Sequence, residues 1–398
     1  MSTPVPIPPL PGPEEADAET LGMIADAVAA YAVPDAARTR RVRDSAEGFD
    51  AKVWRDMAEQ GWLGVLVPEG QGGLALGLEA AAAIARRLGY AAFPEPYVPV
   101  AVLAARVLAR APESALRDDL LARLVAGDLL PGVAWQGVRG GIDVTGTHVR
   151  AVPAGDGVHL GGESRFIPVP GADGFIVSAS ADGGLGLYWA EAGQEGVDVA
   201  AERAADGTRS LRVTFSDALV PAENCLAAPG EGAAILRAAL AEATVAASAE
   251  MTGLIERALD ITLDYLRTRE QFNRPIGSFQ ALQHRAVDLW IQKELARTTL
   301  DATVRALAGG AGNLDGWETA ASSLKARAAI AGRLVAGQSV QLHGAIGFTD
   351  EYELGVYVNR ALVLAAWLGN AAEHQRRFGA RAPIGGALPG QVKGEGRS

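Results

Sequence analysis

The chain predicts an α+β fold in which two helical segments enclose an all-β middle, and three observations carry that prediction. Apolar residues recur at three- and four-residue spacing up to about residue 126, then at alternate positions to about residue 226, then again at helical spacing to about residue 378. The middle stretch is rich in Gly and Val, with turn signals about every ten residues. The C-terminal stretch carries three long helical segments and a fourth, joined by short connections. The chain has 398 residues, 49% hydrophobic and 21% charged, enough for two or three domains with cores of their own.

Residues 1–13 are Pro-rich and read as a disordered tail. The first helical domain is assigned to residues 14–130. Within it Gly61 stops a helix, and the apolar run Trp62-Leu63-Gly64-Val65-Leu66-Val67 leads to Pro68. The loop Gly70–Gly77 is Gly-rich, but no Lys-Ser or Lys-Thr follows it, so it reads as a turn and not as a phosphate cradle. The β domain is assigned to residues 131–228, with strand-like runs at Thr147–Val152, Gly174–Ser178 and Ser210–Phe215. Helices are then expected over Ala233–Thr268, Phe279–Leu307, Trp317–His343 and about Tyr352–Phe378, an antiparallel four-helix bundle within residues 229–380. Asp315 and Glu318 have the spacing of a capping box for the third of these. The Gly/Pro-rich end, residues 381–398, reads as a second disordered tail.

Charge and cysteine content exclude several classes of function. Net charge is −11 with no basic stripe, which argues against nucleic acid and anionic membranes as partners. A single cysteine, Cys225, excludes an intrachain disulfide and a cysteine metal cage, and with no histidine nearby it reads as structural. Five scattered histidines show no metal-ligand spacing. No run of 18 apolar residues and no leader-like start is seen, so a cytoplasmic location is expected.

The densest polar patch lies at Leu266–Arg285. Arg267, Arg269 and Arg274 fall within eight residues beside Phe272, and Ser278 stands where it could cap the next helix. By residue type this is either a solvated turn between helices or an anion site, since guanidiniums beside a helix start suit a pyrophosphate.

The string R-T-R-E-Q-F-N-R-P-I-G-S-F-Q-A-L-Q-H (Arg267–His284) closely resembles the C-terminal-domain signature of the acyl-CoA dehydrogenase family. The block Trp62–Glu69, the segments Gly162–Asp173 and Val213–Asn224, and Gln341-Leu342-His343-Gly344-Ala345-Ile346-Gly347-Phe348-Thr349 are similar to other parts of that family, in the same order. The resemblance implies an N-terminal helical domain, a central β-barrel domain and a C-terminal four-helix bundle. It implies FAD as cofactor, an acyl-CoA as substrate and electron-transfer flavoprotein as acceptor. It places Arg269 and Phe272 against the FAD of a neighbouring subunit, with Gln280 beside them and Gln341 and Gly344 near the ADP half. Asn370 stands where a Thr is usual and keeps the capacity to bond a phosphate.

The same resemblance exposes departures. The family's catalytic Glu corresponds to Leu368, before Gly369, and the position of the minority base falls on Ala243. Neither accepts a proton. Glu242 is adjacent to Ala243, but one helical step is about 100° of rotation, so it is expected to face elsewhere, toward solvent. The loop that usually bonds the isoalloxazine reads Ala134–Gly141, and Phe166-Ile167-Pro168 lacks the usual hydroxyl. Elements that would reach a partner's flavin are kept while those that would hold the chain's own are eroded. The resemblance is therefore to the non-catalytic subunit of an α2β2 heterotetramer of the kind acting on bulky steroid side-chain thioesters. The alternatives are a self-sufficient enzyme, such as a homo-tetramer, with a base relocated to Glu242, or a flavin-free acyl-CoA-binding scaffold.

Overall fold

Helix α7, Gly232–Thr268, runs through the whole molecule and belongs to both of its cores. The computed structural model describes residues 17–308, 313–349 and 351–381. The tails expected at 1–13 and 381–398 lie outside the described residues, apart from Arg381 itself, which ends a helix. Among the described residues six α-helices precede the sheet: α1 Ala18–Tyr31, α2 Ala36–Asp44, α3 Ala51–Glu59, α4 Gly77–Tyr90, α5 Ala105–Arg110 and α6 Ala115–Val125. Asp17, Asp35, Asp50 and Ser114 cap four of them by accepting backbone N–H bonds. A fully buried π-helical turn, Val98–Ala104, runs straight into α5.

The strands are β1 Pro131–Ala134, β2 Arg150–Ala154, β3 Gly157–Ile167, β4 Gly174–Ala181, β5 Gly184–Glu191, β6 Val197–Arg203, β7 Arg209–Pro221 and β8 Cys225–Ala227. They form one sheet in the order β6-β7-β3-β2-β4-β5-β8, with β1 parallel to β4. The path has two ends, β6 and β8, so the expected barrel is corrected to an open sheet. Strand β4, which pairs with β1, β2 and β5, is buried over Gly174–Ala179. β3 is kinked by register shifts between Leu160 and Gly162 and between Ser164 and Ile167. Phe166 sits in the second shift at φ 61°.

After α7 come the hairpin β9 Glu270–Gln271 and β10 Arg274–Pro275, then α8 Gln280–Ala308, α9 Leu314–His343, α10 Leu354–Ala366 and α11 Ala371–Arg381. The fourth bundle helix expected at 352–378 is thus two helices. The break falls at Leu368 and Gly369, whose φ values of 59° and 94° no right-handed helix accepts. Two capping expectations are also corrected. The Ser278 hydroxyl donates to the Pro275 carbonyl (2.7 Å) and α8 starts only at Gln280. Asn313 caps α9 through Gly316 N–H, which leaves Asp315 and Glu318 free for ion pairs.

α7 contains an 18-residue window of mean hydropathy 1.3, and 78% of that window is buried in the protein. It is the core helix, and its apolar surface is used internally. Its first half packs with the N-terminal helices and the sheet, and its second half with α8, α9 and α10. The crossing with α4 is a backbone contact. A Cβ on Gly89 would stand 2.1 Å from the Glu250 carbonyl, and one on Gly253 1.9 Å from the Arg86 carbonyl. Gly253→Ala is expected to lower stability by at least ~2 kcal/mol in urea unfolding, because two packed helices must part. Gly22→Ala in α1, where a Cβ meets nothing within 4 Å, is expected to leave stability unchanged or slightly raised.

Candidate functional site

A cavity of about 500 Å³ lies where the N-terminal helices, the sheet and α10 meet. Arg360, Val363, Leu364 and Trp367 line it at helical spacing, so the wall formed by α10 is about 10 Å long. Gln136, Gly140, Gly141, Phe166, Asn370 and Glu373 gather at the Trp367 end. Gln136 Nε2 donates to the Gly141 carbonyl (2.7 Å), and the Phe166 ring is the nearest neighbour of a Cβ placed on Gly140. Gly48, Glu95, Arg209 and Glu250 gather at the Arg360 end.

Neither family base position carries a carboxylate. Leu368, 1% exposed, packs in a small recess lined by Trp135, Ile142, Val144, Leu240 and Thr244, the last two flanking the fully buried Ala243. Its backbone is braced from two sides. Lys325 Nζ donates to the carbonyls of Leu364 (2.7 Å) and Gly369 (3.1 Å), and His374 Nε2 stands 2.8 Å from the Leu368 carbonyl. Burial pushes Lys325 down to about 7 and His374 down to about 4. Glu318 reaches the same recess but is held by Arg237 (2.6 Å), Arg381 (2.6 Å) and Arg377. Burial acts to raise its pKa, yet the guanidiniums win and hold it below the ordinary carboxylate range.

Glu242 corrects its expectation in a different way. It turns away from the cavity, as one helical step requires, but not toward solvent. It is 3% exposed and forked between Arg106 (2.9 and 3.1 Å) and Arg110 (2.8 and 2.8 Å). Burial favours its neutral form, and the two guanidiniums outweigh that and hold it at about 2. A carboxylate so held is a poor base. Its role is to tie α5 to α7.

Sequence reading missed Glu250. It lies seven residues beyond Ala243, about 700° of rotation, and so on the same face of α7 two turns on. It lines the cavity and meets Arg360 at 2.8 Å, which also reaches Asp206 at 3.2 Å. The i+7 relation to Ala243 was the available signal; the partners came from elements distant in sequence.

Of the cofactor residues named from the sequence, only Asn370 lines the cavity. Its Oδ1 accepts from Glu373 N–H (3.1 Å) and its own N–H donates to Glu373 Oε2 (3.0 Å), a capping box on α11 that leaves the amide nitrogen free of partners among the described residues. Arg269, Phe272, Gln280, Gln341 and Gly344 are all exposed and lie at the far end of α7. Phe272 and Asn273 form the hairpin tip at φ 53° and 60°, which places a bulky ring, 87% exposed, in a backbone region that such residues avoid. Phe272 packs edge-on against Phe279 (6.0 Å), whose ring carries the Arg274 guanidinium at 4.1 Å. Tyr265 stacks on His343 at 4.4 Å, which joins the end of α7 to the turn at Gly344. A Cβ on Gly344 would meet nothing within 4 Å, so that turn is open to an incoming group. The Arg269 side chain has no partner among the described residues.

Two family models and several known proteins match this chain. Residues 18–128 match the model for the acyl-CoA dehydrogenase N-terminal domain and residues 230–383 that for the C-terminal domain. The acyl-CoA dehydrogenase FadE27 of Mycobacterium tuberculosis is 31% identical over 381 residues, covering 91% of this chain and 96% of that protein. Acyl-CoA dehydrogenase IpdE2 of the same organism is 29% identical, covering 89% and 93%. Among solved structures, a variant of the Tcur3481-Tcur3483 steroid ACAD superposes with TM-score 0.80 at 32% identity, covering 91% of this chain and 96% of that one. The ChsE4-ChsE5 complex from Mycobacterium tuberculosis superposes with TM-score 0.83 at 29% identity, covering 94% and 99%.

The buried charges have measurable consequences. Replacing Glu242 by Gln leaves Arg106 and Arg110 without a counter-charge and is expected to cost about 3–5 kcal/mol in denaturant unfolding. Lys325 sits near 7 in the fold against an ordinary 10.5. The unfolded chain therefore binds more protons across that window, and stability rises as pH increases from about 7 toward 10.5. In melts across this range, Lys325→Met is expected to flatten the rise relative to wild type.

Proposed function

This chain belongs to the acyl-CoA dehydrogenase family, and we propose that within it the chain is the non-catalytic half of a hetero-oligomer, completing the flavin site of a partner subunit that carries the base. Members of the family are oxidoreductases acting on CH–CH bonds, and they bind FAD. When bound, FAD accepts the hydride leaving the acyl chain.

The observation that carries this reading is the separation of two sets of residues on one chain. Leu368 and Ala243 put no proton acceptor at either family position, and Glu242 and Glu318 are held by arginines. The other set fits the pyrophosphate and ADP half of FAD. A free Arg269 guanidinium supplies fork donors for phosphate, the exposed Phe272 ring supplies a stacking face, and the open turn at Gly344 admits close backbone approach. The residues around the cavity fit the isoalloxazine half less well, since Pro168 lacks a hydroxyl and the Gln136 amide nitrogen is spent on Gly141. Gln280 and Gln341 complete the trans contribution in this assignment, and the Asn370 amide nitrogen remains available to a phosphate.

The partner is a second acyl-CoA dehydrogenase-type chain in an α2β2 tetramer. α8 supports assembly with its exposed apolar stripe Val287, Trp290, Ile291 and Leu295, continued by Ile330 and Leu334 on α9. The relatives that include paired chains and a steroid enzyme extend the reading to a bulky, steroid-type acyl thioester, with electron-transfer flavoprotein as acceptor.

The test is paired expression. The chain is purified alone and together with a second family member carrying Glu at the position of Leu368, and visible absorbance and mass by light scattering are recorded. Flavin and a defined tetramer are expected only from co-expression. In that tetramer Arg269→Ala is expected to release FAD while the assembly persists. A chain that is yellow by itself, stoichiometric in FAD and reduced by an acyl-CoA would overturn the assignment.

A further inference from the structure

The break between α10 and α11 shapes the cavity and the recess together. Trp367, Asn370 and Glu373 line the cavity, and Leu368 lines the recess. Local preference does not favour this backbone. Leu368 stands at φ 59°, a region that leucine avoids, so it persists only while its surroundings hold it.

Two basic side chains do the holding, and both fit their places as free bases. Lys325 is 1% exposed, and its Nζ donates to the Leu364 and Gly369 carbonyls. In an unbroken helix the Leu364 carbonyl would take the N–H of Leu368, and Lys325 replaces that donor. A neutral amine has two N–H groups for these two carbonyls. An ammonium adds a third N–H and a full charge, and among the described residues it finds neither a further acceptor nor a bonded carboxylate. His374, also 1% exposed, repeats the pattern. Its Nε2 carries the proton given to the Leu368 carbonyl, and its buried Nδ1 has no partner among the described residues. A proton on Nδ1 would be a second buried charge without an acceptor.

The charged groups on the elements packed against α9 are engaged elsewhere. On α11 Glu373 accepts from Asn370 N–H, and Arg377 pairs with Glu318. On α7 Arg237 pairs with Glu318 and Asp315, and Glu242 with Arg106 and Arg110. On α10 Arg360 spans Glu250 and Asp206, and on α8 Glu294 takes Lys293 and Arg297. Burial takes Lys325 down to about 7 against the pull of the Glu373 charge. Burial takes His374 down to about 4, opposed by its bond to Leu368 and aided by the charges of Lys325 and Arg377.

We propose that the break between α10 and α11 is an acid-released latch on the cavity wall: Lys325 and His374 hold residues 367–370 in place as free bases, and proton uptake by either one releases them. Opening lets water reach both groups, where their ordinary values are 10.5 and 6.5. The open form therefore binds one more proton than the closed form between about 7 and 10.5, and again between about 4 and 6.5. Acid favours release in both windows, and base favours closure. The latch is a property of this chain's own fold and goes beyond the half-site assignment without depending on it.

The test is hydrogen exchange of the full-length chain, read by mass spectrometry and corrected for the intrinsic rate at each pH. The Trp367 N–H, bonded to the Val363 carbonyl at 3.0 Å, and the Asn370 N–H report the break. Amides at the buried centre of α7 report opening of the whole fold. From about pH 7 to 9 the protection of the break is expected to rise about 10-fold per pH unit, as one linked proton requires, while staying below that of α7. Lys325→Met is expected to abolish this rise and to keep a similar rise between about pH 4.5 and 6.5. His374→Gln, which keeps a donor for the Leu368 carbonyl, is expected to do the reverse. Side chains that only fill space produce neither limb, and each variant tests its own limb if the other does not fold. Protection that is flat across both windows in the wild type, a rise that persists in the variant lacking its base, or a break that opens only together with α7 would overturn the proposal.

Discussion

The contact on which the rest depends is the crossing of α4 and α7, where Gly89 and Gly253 let two backbones touch. Any side chain there would force the helices apart. α7 is shared by both cores, so its position relative to α4 sets where everything on it points. Leu240 and Thr244 line the recess with Leu368, Glu242 turns toward α5, and Glu250 lines the cavity further along. A shift of this helix would move the recess, the ion pairs and the cavity together.

The second organising feature is the way acidic groups near the recess are neutralised. Glu242 and Glu318 are both nearly inaccessible and each is surrounded by more than one arginine. Desolvation alone would turn such a carboxylate into a good base by raising its pKa. Here the guanidiniums reverse the sign and fix both groups as anions. The result is a rigid join between α5, α7, α9 and α11 and a centre in which no carboxylate is poised to take a proton. The same region holds Lys325 against backbone carbonyls at the break between α10 and α11, a buried amine with no carboxylate bonded to it among the described residues.

Against this quiet centre the far end of α7 is set out for contact. A phenylalanine at positive φ, almost wholly exposed, is costly for an isolated chain in both backbone strain and apolar exposure. Arg269 beside it and the open turn at Gly344 add donors and room. These are the features on which the proposed half-site assignment rests.

The sequence by itself determined the order helices–sheet–helices, the long helices α7, α8 and α9 to within a few residues, and the family. These were legible because hydrophobic period is a local property, and because the Arg267–His284 string sits on a hairpin and helix start whose chemistry is local too. The absence of carboxylates at Leu368 and Ala243 was legible by the same counting. The tertiary structure alone decided the rest. That the sheet stays open depends on which strands pair across long separations. That the last helix breaks at Leu368 depends on Lys325 and His374 bracing a backbone no local propensity favours. Glu242 looked like a surface residue because a single helix cannot show that Arg106 and Arg110 will arrive from more than 130 residues away. Glu95, Tyr97, Glu250 and Arg360 became one cavity only when separate segments packed together, and burial and charge pairing there are properties of that packing and not of any segment alone.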